Sequence, residues 1–267
     1  MSPLLDFYRA YGRLSLTVEL QYRASLVIWQ IATVLEPTVL LVVWSTAARG
    51  GGGRIARYGP PDFAAYYLAL LLVNRLTSTY VQWIFEARVR QGQFSAALLR
   101  PIHPIHADVA EQLTHNLLAF VTLLPALGAL WFFFRPALYP APATIFAFLL
   151  ALVGAFVVRF LLEWSLALAA FWTTRTTAMN QLYFTAYLFF SGTLAPLALF
   201  PEWVRAAAAL LPFRPMIGFP VELLLGQLAP TAVLTGFLAQ LAWAALGLVL
   251  LALLWRAGIR RYTGVGA

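Results

Sequence analysis

The 267-residue chain contains no cysteine, which excludes disulfides, thiolate metal sites, iron–sulfur clusters and a cysteine nucleophile. It contains no lysine either, since all 18 basic residues are arginine. A Schiff-base lysine and a Gly-rich phosphate loop ending in Lys-Ser or Lys-Thr are therefore both excluded, and with them a Walker-type ATP site. Charge is scarce: 10% of residues are charged and 62% are hydrophobic, against about 25% and about 45–50% in soluble domains. Such a chain cannot clothe a water-facing surface, and its body is expected to face lipid. The net charge of +8 comes from arginines scattered at the ends of apolar runs, a pattern that suits anionic lipid headgroups and not a nucleic-acid patch.

The first 25 residues do not read as a signal peptide, because Asp6, Arg9, Arg13, Glu19 and Arg23 interrupt any apolar core. Leu4, Phe7, Tyr8, Tyr11, Leu14, Val18 and Tyr22 recur at three- and four-residue steps with Arg9 and Arg13 on another face, which predicts an interfacial helix at the headgroups; an amphipathic helix packed on protein is the alternative. Six apolar stretches follow, each near or above the roughly 20 residues that cross a bilayer: Leu26 to Thr46, Phe63 to Phe85, Leu113 to Phe134, Thr144 to Trp172, Asn180 to Phe200 and Leu234 to Trp255. The loop Arg49-Gly50-Gly51-Gly52-Gly53-Arg54 with Gly59-Pro60-Pro61, then Arg135-Pro136 with Pro140-Ala141-Pro142, and later Thr173 to Thr177, mark breaks. With the amino terminus inside, ten arginines fall on the cytoplasmic side and six outside, which places both termini in the cytoplasm.

Two segments are more than connections. Residues 86–106, EARVRQGQFSAALLRPIHPIH, place Phe94 and Leu98 four apart beside Ala97, with Arg88, Arg90 and Gln91 polar and Pro101 and Pro104 as stops. A short helix with one apolar ridge is expected there, either docking a soluble partner or lying on the membrane surface. Residues 201–230 carry Pro201, Pro212, Pro215, Pro220 and Pro230, which rules out a continuous span and predicts half-membrane pieces at Glu202 to Leu211 and Val221 to Gln227 that enter the outer leaflet and return. Arg256 to Ala267 reads as a basic anchoring tail.

Ionisable groups near a span's centre cost about 2.5–3.5 kcal/mol each on insertion scales, so each needs a reason. Glu36, Arg75, Arg159 and Glu163 stand out. Glu36 and Arg75 fall at matching depths of the first two expected spans and predict an interhelical pair loosened by Pro37. Arg159 and Glu163, at i and i+4, can neutralise each other within one helix, either lining a transport path or fixing helix packing. Asp108, Glu111 and His115 fall at i, i+3 and i+7 with His103 and His106 upstream, a spacing that raises a metal reading. Acids in a helix's first turn are what the macrodipole favours, however, and no second Glu-x-x-His element completes a carboxylate-bridged site, so no metal is expected. Ser191-Gly192 lacks the Gly-x-Ser frame of a serine nucleophile, with Phe189 where the glycine would stand. No catalytic set converges, and no enzyme activity is expected of this chain.

The layout of amphipathic amino-terminal helix, six spans, inner segment between spans two and three, and broken helices before the last span resembles the permease subunits of type-two ABC exporters. Two stretches are similar to one bacterial branch of them: Gly92-Gln93-Phe94 leading to Leu98-Leu99-Arg100-Pro101-Ile102, and Leu211-Pro212-Phe213-Arg214-Pro215 leading to Pro220 and Leu225-Gly226. The resemblance implies an all-α polytopic permease in a bacterial cytoplasmic membrane, paired with an identical or homologous second permease and with two separate ATPase subunits. It implies that ATP and Mg are held by those partners and that no cofactor is held by this chain. A coupling element within Arg88 to Leu99 follows, with Arg88, Arg90, Gln91, Phe94 and Leu98 as its residues, and 201–226 would be extracellular helices near an outer gate. Substrate residues do not carry over, because that scaffold handles lipids, glycans, drugs and ions. The alternative is an ion-coupled secondary transporter, which needs polar groups at the midplane and breaks repeated in both halves; here the breaks cluster outside the fifth and sixth spans.

Overall fold

The computed structural model describes residues 3–21, 23–173 and 175–262, and no β-strand occurs among them. In chain order the helices are α1 (Pro3–Gln21), α2 (Arg23–Gly50), α3 (Pro60–Thr77), α4 (Val81–Arg90), α5 (Gln93–Leu98), α6 (Pro104–Phe134) and α7 (Pro142–Ala167), the last extended by a 3-10 turn at Leu168–Phe171. Then come α8 (Thr177–Phe190), α9 (Glu202–Leu210), a π-helical turn at Arg214–Gly218, α10 (Phe219–Leu224) and α11 (Pro230–Ile259). Pro60, Pro104, Pro142 and Pro230 each sit at a helix start, where the missing N–H removes no hydrogen bond.

Hydrophobic composition without a strong polar stripe sends α3 to the centre, with Phe63 through Leu71 and Val73 all buried. Around it stand α2, α6, α7 and α10; the outer faces of α2, α6 and α7 expose residues such as Ile31, Leu35, Leu117, Leu149 and Val153, as lipid-facing helices do. Among the described residues four helices are long and apolar enough to cross a membrane: Ile28–Gly50, Pro104–Phe134, Pro142–Phe171 and Pro230–Ile259. A fifth would be the pair Glu202–Leu210 and Arg214–Leu224, bent by 85°.

The expected count of six is therefore not shown, and two expected spans are broken. The stretch Phe63 to Phe85 stops at Thr77 and restarts at Val81. Thr77 Oγ1 donates back to the Val73 carbonyl at 2.8 Å, and the Asn116 amide donates to the carbonyls of Leu76 (3.1 Å) and Ser78 (3.0 Å), so the helix end is satisfied from a neighbouring helix. The stretch Asn180 to Phe200 is helical only to Phe190, which leaves α8 with 14 residues, or roughly 21 Å at 1.5 Å per residue. Beyond it the chain turns at Gly192 with φ +93°. The freed carbonyls accept from Tyr66 OH (on Gly192, 2.7 Å) and from Tyr67 OH and Trp44 Nε1 (on Leu194, 2.8 and 3.1 Å). Sequence reasoning missed both breaks because the groups that satisfy them lie far away in the chain.

α11 packs along α10, α7 and the 3-10 turn after α7 through glycines at 236, 247 and 258 respectively. Their eleven-residue spacing is close to three full turns, so they form one stripe. A methyl group at Gly236 would enter the ring of buried Phe219, one at Gly258 would enter the Phe171 ring, and one at Gly247 would lie 3.0 Å from Leu161 Cβ. Small residues of this kind let helices approach closely in lipid. Gly236→Ala is expected to lower stability by about 1–3 kcal/mol, the usual range for overpacking, read as a lower melting temperature of the purified chain in detergent; Gly128→Ala, whose added methyl meets nothing within 4 Å, should leave it unchanged.

Candidate functional site

One end of the molecule collects α1, α4, α5, the start of α6 and the last turn of α11. Here α4 and α5 form an elbow at Gln91-Gly92, where Gly92 adopts φ +73°, a left-handed conformation that glycine reaches without strain. The elbow is pinned by an aromatic junction. Phe94, 3% exposed, packs against Phe85 of α4 (ring centroids 4.9 Å), Phe171 after α7 (5.6 Å), and Trp255 and Tyr262 at the end of α11 (6.1 and 5.7 Å). Burying an aromatic side chain of this size is worth several kcal/mol, as the roughly 3–5 kcal/mol cost of Phe→Ala in cores shows. The Ser95 and Tyr262 hydroxyls hydrogen-bond at 2.8 Å.

Polar contacts hold the other side of the elbow. Arg88 is paired with Asp108 and lies 3.4 Å from Glu111, while the second Asp108 oxygen accepts from buried Trp164 Nε1 at 2.9 Å. Glu86 accepts from the backbone N–H and hydroxyl of Thr176 at 2.8 and 2.9 Å, so a side chain of α4 caps the start of α8. These two bonds hold the Glu86 carboxyl below the usual carboxylate range. The contribution is therefore present above the carboxyl's unfolded pKa and lost as pH falls through the lower, folded value.

Of the residues the sequence puts forward for coupling, Arg88, Phe94 and Leu98 turn into the protein, and Arg90 and Gln91 face outward. The outward face of the elbow also holds Gln93, Ala96, Leu99 (88% exposed) and Arg100. The same helical periodicity identifies these residues: with Phe94, Ala97 and Leu98 on one side, 93, 96 and 100 lie opposite. The apolar ridge thus exists, and it is the anchoring side.

A second constellation lies in the body. Arg159 Nε donates to Glu163 Oε1 at 2.9 Å and Arg159 NH1 to Asn74 Oδ1 at 2.8 Å. Tyr187 OH donates to the same Asn74 oxygen at 3.1 Å, and its ring lies under the guanidinium at 4.9 Å. The Glu163 carboxylate also accepts from Thr79 and, at 3.3 Å, from Tyr183. Arg159 and Glu163 are 8% and 1% exposed. This network joins α3, the break after it, α7 and α8 with its charges paired, the condition under which buried ions are tolerated.

Glu36 and Arg75, expected to pair, do not meet. Arg75 sits in the last turn of α3, within 3.3 Å of His115 Nε2, and Glu36 is exposed midway along α2. Phe63 to Phe85 is not one helix: α3 ends at Thr77, so Arg75 stands in its last turn and reaches His115. Asp108, Glu111 and His115 also separate, the first two toward Arg88 and the third toward Glu19 (2.8 Å).

Against known families, the sequence matches the one described as ABC-2 family transporter protein over residues 27–266. The chain belongs to that family. No curated protein sequence matches it. As an ABC-2 family protein it is a multi-pass membrane permease of an ABC transporter and the membrane component of that assembly, with ATPase partners, and not the ATPase itself. The two constellations thus lie in a transport protein, one in its interior and one on its surface at an end of the bundle.

The interior network yields a stability prediction. Glu163→Gln leaves the Arg159 charge buried without its counter-ion and is expected to destabilise the ABC-2 protein by about 3–5 kcal/mol, whereas Arg159→Met with Glu163→Met should cost less than the single change. Thermal unfolding of the three purified proteins in the same detergent decides it; a double variant less stable than Glu163→Gln would show that the pair is not a unit.

Proposed function

We propose that this chain is the permease of an ATP-driven exporter in a bacterial cytoplasmic membrane and that the α4–α5 elbow is the cytoplasmic element against which the ATPase presses. The observation that carries the reading is the aromatic junction at Phe94. A surface helix of six residues is joined rigidly to the ends of both α7 and α11, so a push on its outer face reaches two long spans at once. The outer face, with Arg90, Gln91, Gln93, Ala96, Leu99 and Arg100, is free to receive a partner.

ATP and Mg are held by two copies of the ATPase, and a second permease, identical or homologous, completes the path. The ATPase favours the permease state in which it makes better contact, and closure of its nucleotide sites shifts the population between inward-open and outward-open arrangements. The arginine distribution supports the orientation. Arg9 and Arg13 of α1 with Arg88, Arg90, Arg100, Arg175, Arg256, Arg260 and Arg261 belong to the elbow end, and Arg49, Arg54, Arg57, Arg135, Arg205 and Arg214 to the end that holds α9, the excess of positive charge that a cytoplasmic side carries. The bent pair of α9 and α10 then lies on the outer side.

Affinity purification of the chain from its native membrane is expected to bring down a nucleotide-binding ATPase in stoichiometric amount. Leu99→Asp combined with Arg100→Glu should release that ATPase while leaving the melting temperature of the permease within about 2 °C, as exposed substitutions do. Uptake driven by an ion gradient in liposomes holding only this chain would overturn the reading.

A further inference from the structure

A cavity of about 600 Å³ opens where α1, α2, the end of α3, the start of α4 and α6 meet, lined by Glu19, Ser25, Trp29, Thr33, Arg75, Tyr80, Trp83 and His115. Its chemistry is divided. The inner wall is charged: His115 Nδ1 lies 2.8 Å from Glu19 Oε1, and His115 Nε2 lies 3.3 Å from Arg75 NH2. An imidazole that donates to the Glu19 carboxylate through Nδ1 presents a bare Nε2 to the guanidinium, so His115 bridges Glu19 and Arg75 by hydrogen bonds. Among the described residues Arg75 makes only that one hydrogen bond, and its buried Nε–H finds no partner there. A guanidinium with five donors and a buried orphan among them is under-satisfied by the protein alone. The mouth, by contrast, is aromatic, with Trp29 and Trp83 71% and 46% exposed and Tyr80 packed edge-on to His115. Tryptophan at such a rim marks the boundary between hydrocarbon and headgroup.

We propose that this cavity binds the anionic headgroup, phosphate or carboxylate, of an amphiphile whose apolar tail leaves between Trp29 and Trp83 into the bilayer. The guanidinium supplies the charge-assisted donors that such a group takes in bidentate fashion, and the indoles hold the first part of the tail. The inference names a ligand class for the permease proposed above and rests on that reading only for its transport meaning; binding itself needs no ATPase.

The full chain is purified in a neutral maltoside detergent, and binding of dodecyl phosphate, inorganic phosphate and dodecanol is followed by isothermal titration. Saturable binding of dodecyl phosphate is expected, with weakening of tenfold or more by Arg75→Gln, smaller weakening by Trp29→Ala and by Trp83→Ala, and none by Trp203→Ala, an exposed tryptophan on α9. Inorganic phosphate binding with equal affinity would identify a free anion and overturn the amphiphile. Equal binding of dodecanol would overturn the role of charge. If Arg75→Gln does not fold, the two rim variants decide, and full affinity in both overturns the site. A chain that binds dodecyl phosphate yet brings down no ATPase would refute the exporter reading and leave this site standing.

Discussion

A backbone that stops being helical inside an apolar body must find hydrogen-bond partners within the protein, because lipid offers none. This molecule meets that requirement with side chains sent from other helices. Asn116 of α6 closes the carbonyls at the end of α3. Tyr66, Tyr67 and Trp44 close those beyond α8, and Gln240 of α11 donates to the carbonyls of Ala151 on α7 (2.9 Å) and Pro215 in the π-helical turn (3.0 Å). Each break is therefore a junction between helices as well as an interruption of one. The central position of α3 follows, since it both contributes two of the donating tyrosines and receives the amide of Asn116.

The same constraint separates what the sequence discloses from what it hides. Long apolar runs bounded by Gly and Pro announce α2, α6, α7 and α11, because nothing but a lipid-facing helix accommodates them. The Arg159–Glu163 contact is legible from a four-residue spacing, since both ends lie on one helix. The division at Gly92 into α4 and α5 is seen only in the fold, whereas the folding of residues 86–106 into a helix stopped by Pro101 and Pro104 is legible. The stops at Thr77 and Phe190 are not, because serine and threonine neighbours are tolerated in membrane helices and the deciding donors, Asn116 and the tyrosine pair, lie tens of residues away. Glu36 and Arg75 do not pair because Arg75, in the last turn of α3, turns to His115 while Glu36 faces outward from α2. Within the candidate site, periodicity separates two faces of α5 but cannot tell which one the body covers; that depends on Phe171, Trp255 and Tyr262, which periodicity within one segment cannot see.

The elbow and the interior network divide the polar chemistry between them. At the elbow, charges pair at the edge of the body, where Arg88 and Glu86 tie α4 to α6 and to the start of α8. In the interior, Asn74 serves as the common acceptor for Arg159 and Tyr187, so α3 is held to both α7 and α8 through a single amide. A displacement of α4 reaches this network over a short route, since Thr79, which donates to Glu163, lies two residues before Val81 opens α4.

The three glycines of α11 have a mechanical meaning. Because a ring or a branched side chain occupies the space above each of them, turning α11 about its own axis, or advancing it by one residue, would drive neighbouring side chains such as Phe237, Leu246 or Ala257 into Phe219, Leu161 or Phe171. Such a fit is keyed at three points, to α10 at Phe219, to α7 at Leu161 and to its 3-10 extension at Phe171, and it resists rotation of α11 against them. A rearrangement of the permease that keeps this fit carries α7, α10 and α11 together as a single strut, with the give at the joints around it.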